Sequence, residues 1–227
     1  MRALIAILAI TLTTLSASAK DRDPVLIRWD RSMNETVTDL KASDYKSALK
    51  RANRTIKEMI DQLGPGHAST ELFGTVLTYK ALAHAGLGEQ EAATWDWQTV
   101  LALYPKFAES DMSMFGEPGA FLKTISAAPQ VPEETPPANA VRPVLRKQGK
   151  PKFPHGAHYF GVTGELIVQV TVMEDGRVTS PAILKPLPAP TLSYVALEAV
   201  RRWRFDPARL DGQPVPFNFV LTINYKA

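Results

Sequence analysis

The chain has 227 residues, 45% of them hydrophobic and 22% charged, with a formal net charge of +3 and no cysteine. That composition is ordinary for folded protein, with room for one large domain or two small ones. It excludes disulfides, a lipid-attachment cysteine, cysteine-ligated metal and a thiol nucleophile. The charge is unevenly spread. Residues 20–140 hold 13 basic and 17 acidic side chains, whereas residues 141–227 hold 12 and 6. A basic module behind an acidic one points to acidic partners or surfaces for the C-terminal part, or to plain solubility.

The first nineteen residues differ from the rest. Met1-Arg2 gives a positive start, Ala3 to Leu15 is apolar apart from threonines, and Ser16-Ala17-Ser18-Ala19 offers a small-x-small cleavage site. This is the layout of a secretory signal, cleaved after Ala19, and it predicts a periplasmic protein that does not meet nucleic acid. The alternative is an uncleaved inner-membrane anchor, which wants roughly 20 apolar residues.

Residues 20–126 read as a helical domain. Tyr45, Ala48, Leu49, Ala52, Ile56 and Ile60 recur at helical spacing over Asp44 to Ile60. Leu63-Gly64-Pro65-Gly66 stops that helix, and Ser69-Thr70-Glu71 caps a second, which runs to about Ala85. A third spans Glu89 to about Leu103, with Tyr104-Pro105 after it. Ala81, Ala93, Trp97 and Pro105 resemble a tetratricopeptide repeat in type and spacing. An ordinary pair of helical hairpins is the plain alternative. Residues 127–149 carry Pro129, Pro132, Pro136, Pro137 and Pro143 and read as an extended, semi-rigid linker.

From Gly164 the period becomes two. Leu166, Val168, Val170 and Val172 form one face of a strand, Glu174-Asp175-Gly176 signals a hairpin, and Arg177 to Leu184 returns as a second strand. After Pro186-Leu187-Pro188-Ala189-Pro190, Thr191 is a candidate cap for a helix. Leu192, Val195, Ala196, Ala199, Val200 and Trp203 lie along one stripe of that helix, with Pro207 as its stop. Pro216 to Tyr225 alternates as a third strand. The fold class is therefore α+β: a helical domain, then a three-stranded antiparallel sheet packed on a helix over residues 150–227.

Lys150-Pro151-Lys152-Phe153-Pro154, Gly164, Asp175-Gly176, Ala199 to Ala208 and Gly212-Gln213-Pro214-Val215 together resemble the C-terminal domain of the TonB family, within the TonB/TolA C-terminal superfamily. The resemblance implies a protein–protein contact module, with Gly164, Val168, Ala199, Val200, Trp203, Phe205, Pro207, Phe219 and Leu221 as structural core. It also implies that the last strand takes up a short segment of an outer-membrane transporter. Carried onto this chain, the partner-binding residues are Lys150, Pro151, Phe153 and Pro154 with Asn218, Val220, Thr222 and Asn224. Phe153 and Lys150 depart from the family's usual tyrosine and from the enteric glutamine. The expected partner is an envelope protein of the TonB-dependent receptor kind, and self-pairing into a homodimer is the alternative for the same edge.

No catalytic constellation is present in the sequence: no Ser-His-Asp order, no paired carboxylates in a glycine-rich cleft and no phosphate loop. His155 and His158 are three apart but lack a third ligand, so no metal, cofactor or small-molecule substrate is expected. Arg201, Arg202 and Arg204 suit the negative end of a helix, or a binding role. A helical adaptor, in which the repeats bind the partner and the C-terminal module only anchors or dimerises, is the second reading.

Overall fold

The computed structural model describes residues 23–62, 70–126, 139–154 and 163–225. The signal segment, the Leu63-Gly64-Pro65-Gly66 turn, His67, His155, His158 and most of the proline-rich linker lie outside these residues. The chain divides into two compact units between Ala127 and Ala128.

Among the described residues, five helices build the first unit. α1 (Pro24–Lys41) was not anticipated from the sequence. Asp23 caps it by accepting the Val25 N–H at 2.8 Å, and Pro24 sits at the first helical position, where a missing N–H costs nothing. Its buried stripe is only Trp29, Met33, Thr36 and Leu40, a sparse pattern that includes a threonine. α2 (Tyr45–Asp61) is capped by Asp44, which accepts the Ser47 N–H. α3 (Thr70–Gly86) is central, and every residue from Phe73 to His84 is buried. α4 (Gln90–Leu103) and α5 (Gly116–Ser126) complete the unit, joined by two 3-10 turns at Pro105–Glu109 and Ser113–Phe115. Ala81, Ala93 and Trp97 are fully buried. A Cβ on Gly86 would lie 2.4 Å from the Tyr45 ring, so α2 and α3 meet closely there.

The second unit is built on a three-stranded antiparallel sheet, β2 (Gly164–Val172), β3 (Val178–Lys185) and β7 (Phe217–Tyr225), in the order β3-β2-β7. α6 (Pro190–Val200) is buried along almost its whole length. Leu166, Val168, Val170 and Val172 are fully buried on one sheet face, and Leu221, Ile223 and Tyr225 are nearly so. The two smaller ribbons were not anticipated: β1 (Val144–Lys147) pairs with β4 (Arg204–Asp206), and β5 (Ala208–Leu210) with β6 (Gln213–Val215). Asp211 and Gly212, both at positive φ, make the two-residue turn between β5 and β6.

Three local expectations change. Val144–Lys147, read as linker, is a strand because β4 supplies a ladder partner. The helix expected to continue to Pro207 ends at Val200. Its last turn tightens through Arg202 N–H to Ala199 and Trp203 N–H to Val200, after which Arg204–Asp206 pair with β1. Thr191 does not cap α6, whose N-cap is Ala189; Ser193 Oγ instead accepts the Leu187 N–H at 3.0 Å.

Candidate functional site

The two edges of the main sheet are unequal. β3 pairs with β2 through two register shifts, and it contains Pro181 and the left-handed residue Ser180 (φ 51°). Bulges and proline are how an edge strand is blunted against further pairing. β7 has neither. It pairs with β2 over nine consecutive residues without a shift, from Gly164↔Tyr225 to Val172↔Phe217, and no proline interrupts Phe217–Tyr225. Among the described residues no strand lies on its other side.

The hairpin sets which backbone groups of β7 face outward. Gly176 (φ 79°) closes a turn by donating its N–H to the Met173 carbonyl, and Met173 donates its own N–H to Arg177 at 2.8 Å. Met173 therefore faces β3. Backbone direction alternates along a strand, so Val172, Val170, Val168, Leu166 and Gly164 face β7. Their register partners on β7 are Phe217, Phe219, Leu221, Ile223 and Tyr225. The backbone of Val220, Thr222 and Asn224 accordingly points away from the sheet, on the same edge as that of Asn218.

Those four residues are the ones the sequence singled out. Val220, Thr222 and Asn224 have exposed side chains, while Asn218 is half-buried and its Oδ1 accepts the Thr171 hydroxyl at 3.1 Å. Phe153 comes to the end of this edge, its ring centroid 4.2 Å from that of Tyr225. Pro154 is buried, Pro151 half-buried and Lys150 exposed. Beside Asn224 and Tyr225 opens a surface cleft of about 700 Å³, lined also by Thr163, Gly164, Glu165 and Pro188. The Lys185–Glu165 ion pair, 2.5 Å, crosses its wall.

The remaining named residues support this edge from behind. Val168, Ala199 and Val200 are fully buried; Trp203, Phe205 and Leu221 are nearly so. Gly164, Pro207 and Phe219 are half-buried. Trp203 Nε1 donates to the Gly149 carbonyl at 2.8 Å, and Phe205 packs edge-on to Phe219 at 5.9 Å. Arg204 bonds the Arg201 and Trp203 carbonyls, so it satisfies backbone acceptors left by the end of α6.

The helical unit holds a buried charge cluster that sequence reasoning missed. Lys80 Nζ lies 2.9 Å from Asp96 Oδ1, and His84 Nδ1 lies 2.5 Å from Asp96 Oδ2. Burial alone would raise the Asp96 carboxyl, but the Lys80 charge and the hydrogen bonds from His84 and Lys80 outweigh it and hold it below the ordinary carboxylate range. The signal was there in the spacing: Lys80 and His84 are four apart on the buried face of α3. No group of three metal-ligating side chains occurs among the described residues.

The family model that matches is the Gram-negative bacterial TonB protein C-terminal, over residues 149–227. The C-terminal unit belongs to the TonB C-terminal family. Protein TonB of Xanthomonas campestris pv. campestris (strain B100) is 34% identical over 82 residues, which are 34% of this chain and 37% of that protein. Protein TonB of Escherichia coli (strain K12) is 33% identical over 101 residues, 44% of this chain and 41% of that one. A solution NMR structure of the Pseudomonas aeruginosa TonB C-terminal domain aligns with 40% of this chain and 91% of its own, at 23% identity and a TM-score of 0.34. The chain spans less than half the length of these curated relatives. The family match covers residues 149–227, and the helical unit stands outside it.

Proposed function

We propose that the chain is a periplasmic interaction protein of TonB type. Its C-terminal unit docks an envelope partner, a short segment of an outer-membrane transporter, by adding that segment as a fourth strand on β7. The observation that carries this reading is the inequality of the two sheet edges: β3 is bulged and broken by Pro181, whereas β7 is regular and ends beside an open cleft. In strand addition the main-chain bonds supply the affinity, and pockets for alternate side chains supply the specificity. A cleft opens at the Tyr225 end of the sheet, and Phe153 packs on Tyr225 there. Export by cleavage after Ala19 brings the chain to the compartment where such a segment is exposed; no helix among the described residues is long and apolar enough to cross a membrane.

The test is capture of an outer-membrane transporter from solubilised envelopes by the whole chain and by a form lacking residues 20–125. Equal capture by both supports docking through the C-terminal unit. Capture lost with the helices, while the C-terminal unit remains folded, would transfer the role to a tetratricopeptide-type adaptor.

A further inference from the structure

Strand addition on β7 makes no use of the β1–β4 ribbon, yet most of the unit's basic charge is gathered there. Residues 139–154 carry five basic side chains and no acidic one; residues 201–209 carry four, with Asp206 as their single acid. The fold brings the two segments together. Val141 is bridged to Arg209, Val144 stands opposite Asp206, and Lys147 stands opposite Arg204. The Trp203 bond to the Gly149 carbonyl carries the chain back past the end of α6, beside Arg202. Asp206 is already engaged by Arg146.

Aliphatic surface is interleaved with this charge. Val141, Val144 and Leu145 are 65%, 61% and 41% exposed, and they make up half of the large hydrophobic side chains exposed among the described residues. An acidic polypeptide would match the cations but has no need of this aliphatic strip. A lipid surface takes both, with phosphates for the cations and the headgroup boundary for the aliphatic side chains.

We infer that the ribbon is a docking surface for an anionic phospholipid bilayer. It holds the C-terminal unit against the membrane through the exposed Lys147, Lys150 and Arg202, with Val141 and Val144 entering the headgroup layer. This surface is independent of the β7 edge, and neither requires the other. Each basic side chain close to an anionic surface strengthens binding about fivefold, and salt screens the attraction.

The chain from Lys20 onward, which keeps every described residue, is sedimented with phosphatidylcholine vesicles that contain either no phosphatidylglycerol or about 30%. The salt is set at about 0.1 M and then about 0.5 M. The expected result is binding to the anionic vesicles at low salt, at least tenfold weaker on the neutral vesicles and at the higher salt. Lys147→Glu with Arg202→Glu should weaken the anionic binding by at least tenfold. Val141→Ser with Val144→Ser should weaken it severalfold at unchanged charge. All four positions are exposed, and circular dichroism checks that the fold is kept. Equal binding to both vesicle types, or binding indifferent to the charge reversals or to the serine pair, overturns the inference. Binding of polyglutamate without binding of vesicles also overturns it, and assigns the ribbon to an acidic protein.

Discussion

The Phe205 N–H donates to the Gly176 carbonyl at 3.0 Å, and a Cβ built on Gly176 would lie 1.9 Å from the Phe205 carbonyl oxygen. The tip of the β2–β3 hairpin is thereby locked onto β4. Gly176 is required twice over, for its φ of 79° and for this approach.

Gly176→Ala should therefore destabilise the C-terminal unit by more than the roughly 1–2 kcal/mol of a left-handed alanine alone. Urea denaturation measures it. A loss well under about 1 kcal/mol would mean that the hairpin tip moves aside without resistance.

Trp203→Ala should cost about 3–5 kcal/mol, since the side chain is 4% exposed and packs against Phe205. Trp203→Phe keeps most of the packing and loses the bond to Gly149, so about 1 kcal/mol plus a packing remainder is expected. A Trp203→Phe melt that coincides with that of wild type would deny the indole N–H any part.

In the helical unit, Asp96→Asn leaves Lys80 buried beside a neutral partner and should cost about 3–5 kcal/mol at neutral pH. Replacing both, Lys80→Met with Asp96→Leu, should cost less than the single change. The acid limb tests the same cluster. The folded Asp96 carboxyl lies below its unfolded value, so its contribution is complete above about pH 4 and is lost as pH falls through the folded value. The stability of Asp96→Asn should fall less steeply below about pH 4 than that of wild type. Parallel acid limbs for the two proteins would contradict the assignment.

The main sheet was legible because its strands alternate: Leu166 to Val172 and Phe217 to Tyr225 each announce a buried face. The α6 stripe was legible for the same reason at helical period. What could not be read were elements whose pairing is decided elsewhere in the chain. Val144–Lys147 is exposed at all four residues and carries no alternation, so nothing local marks it as a strand. Arg204–Asp206 continues a helical pattern until β1 and Gly176 claim its backbone. The outward backbone of Val220 and Thr222 was also out of reach of the sequence, because it depends on the phase set by the Met173–Arg177 bond. That phase separates two kinds of proline substitution. Val220→Pro and Thr222→Pro should spare the β2–β7 ladder and abolish docking, whereas Leu221→Pro should break the ladder itself.

Amide hydrogen exchange along β7, with and without a transporter-derived periplasmic segment, tests the central claim most directly. In the unliganded chain the amides of Phe219, Leu221 and Ile223 should already be slow, and those of Val220, Thr222 and Asn224 fast. Strand addition predicts that the segment slows the second set by at least about tenfold and leaves the first nearly unchanged. A segment that binds while Val220, Thr222 and Asn224 go on exchanging at their unliganded rates would contradict docking on β7.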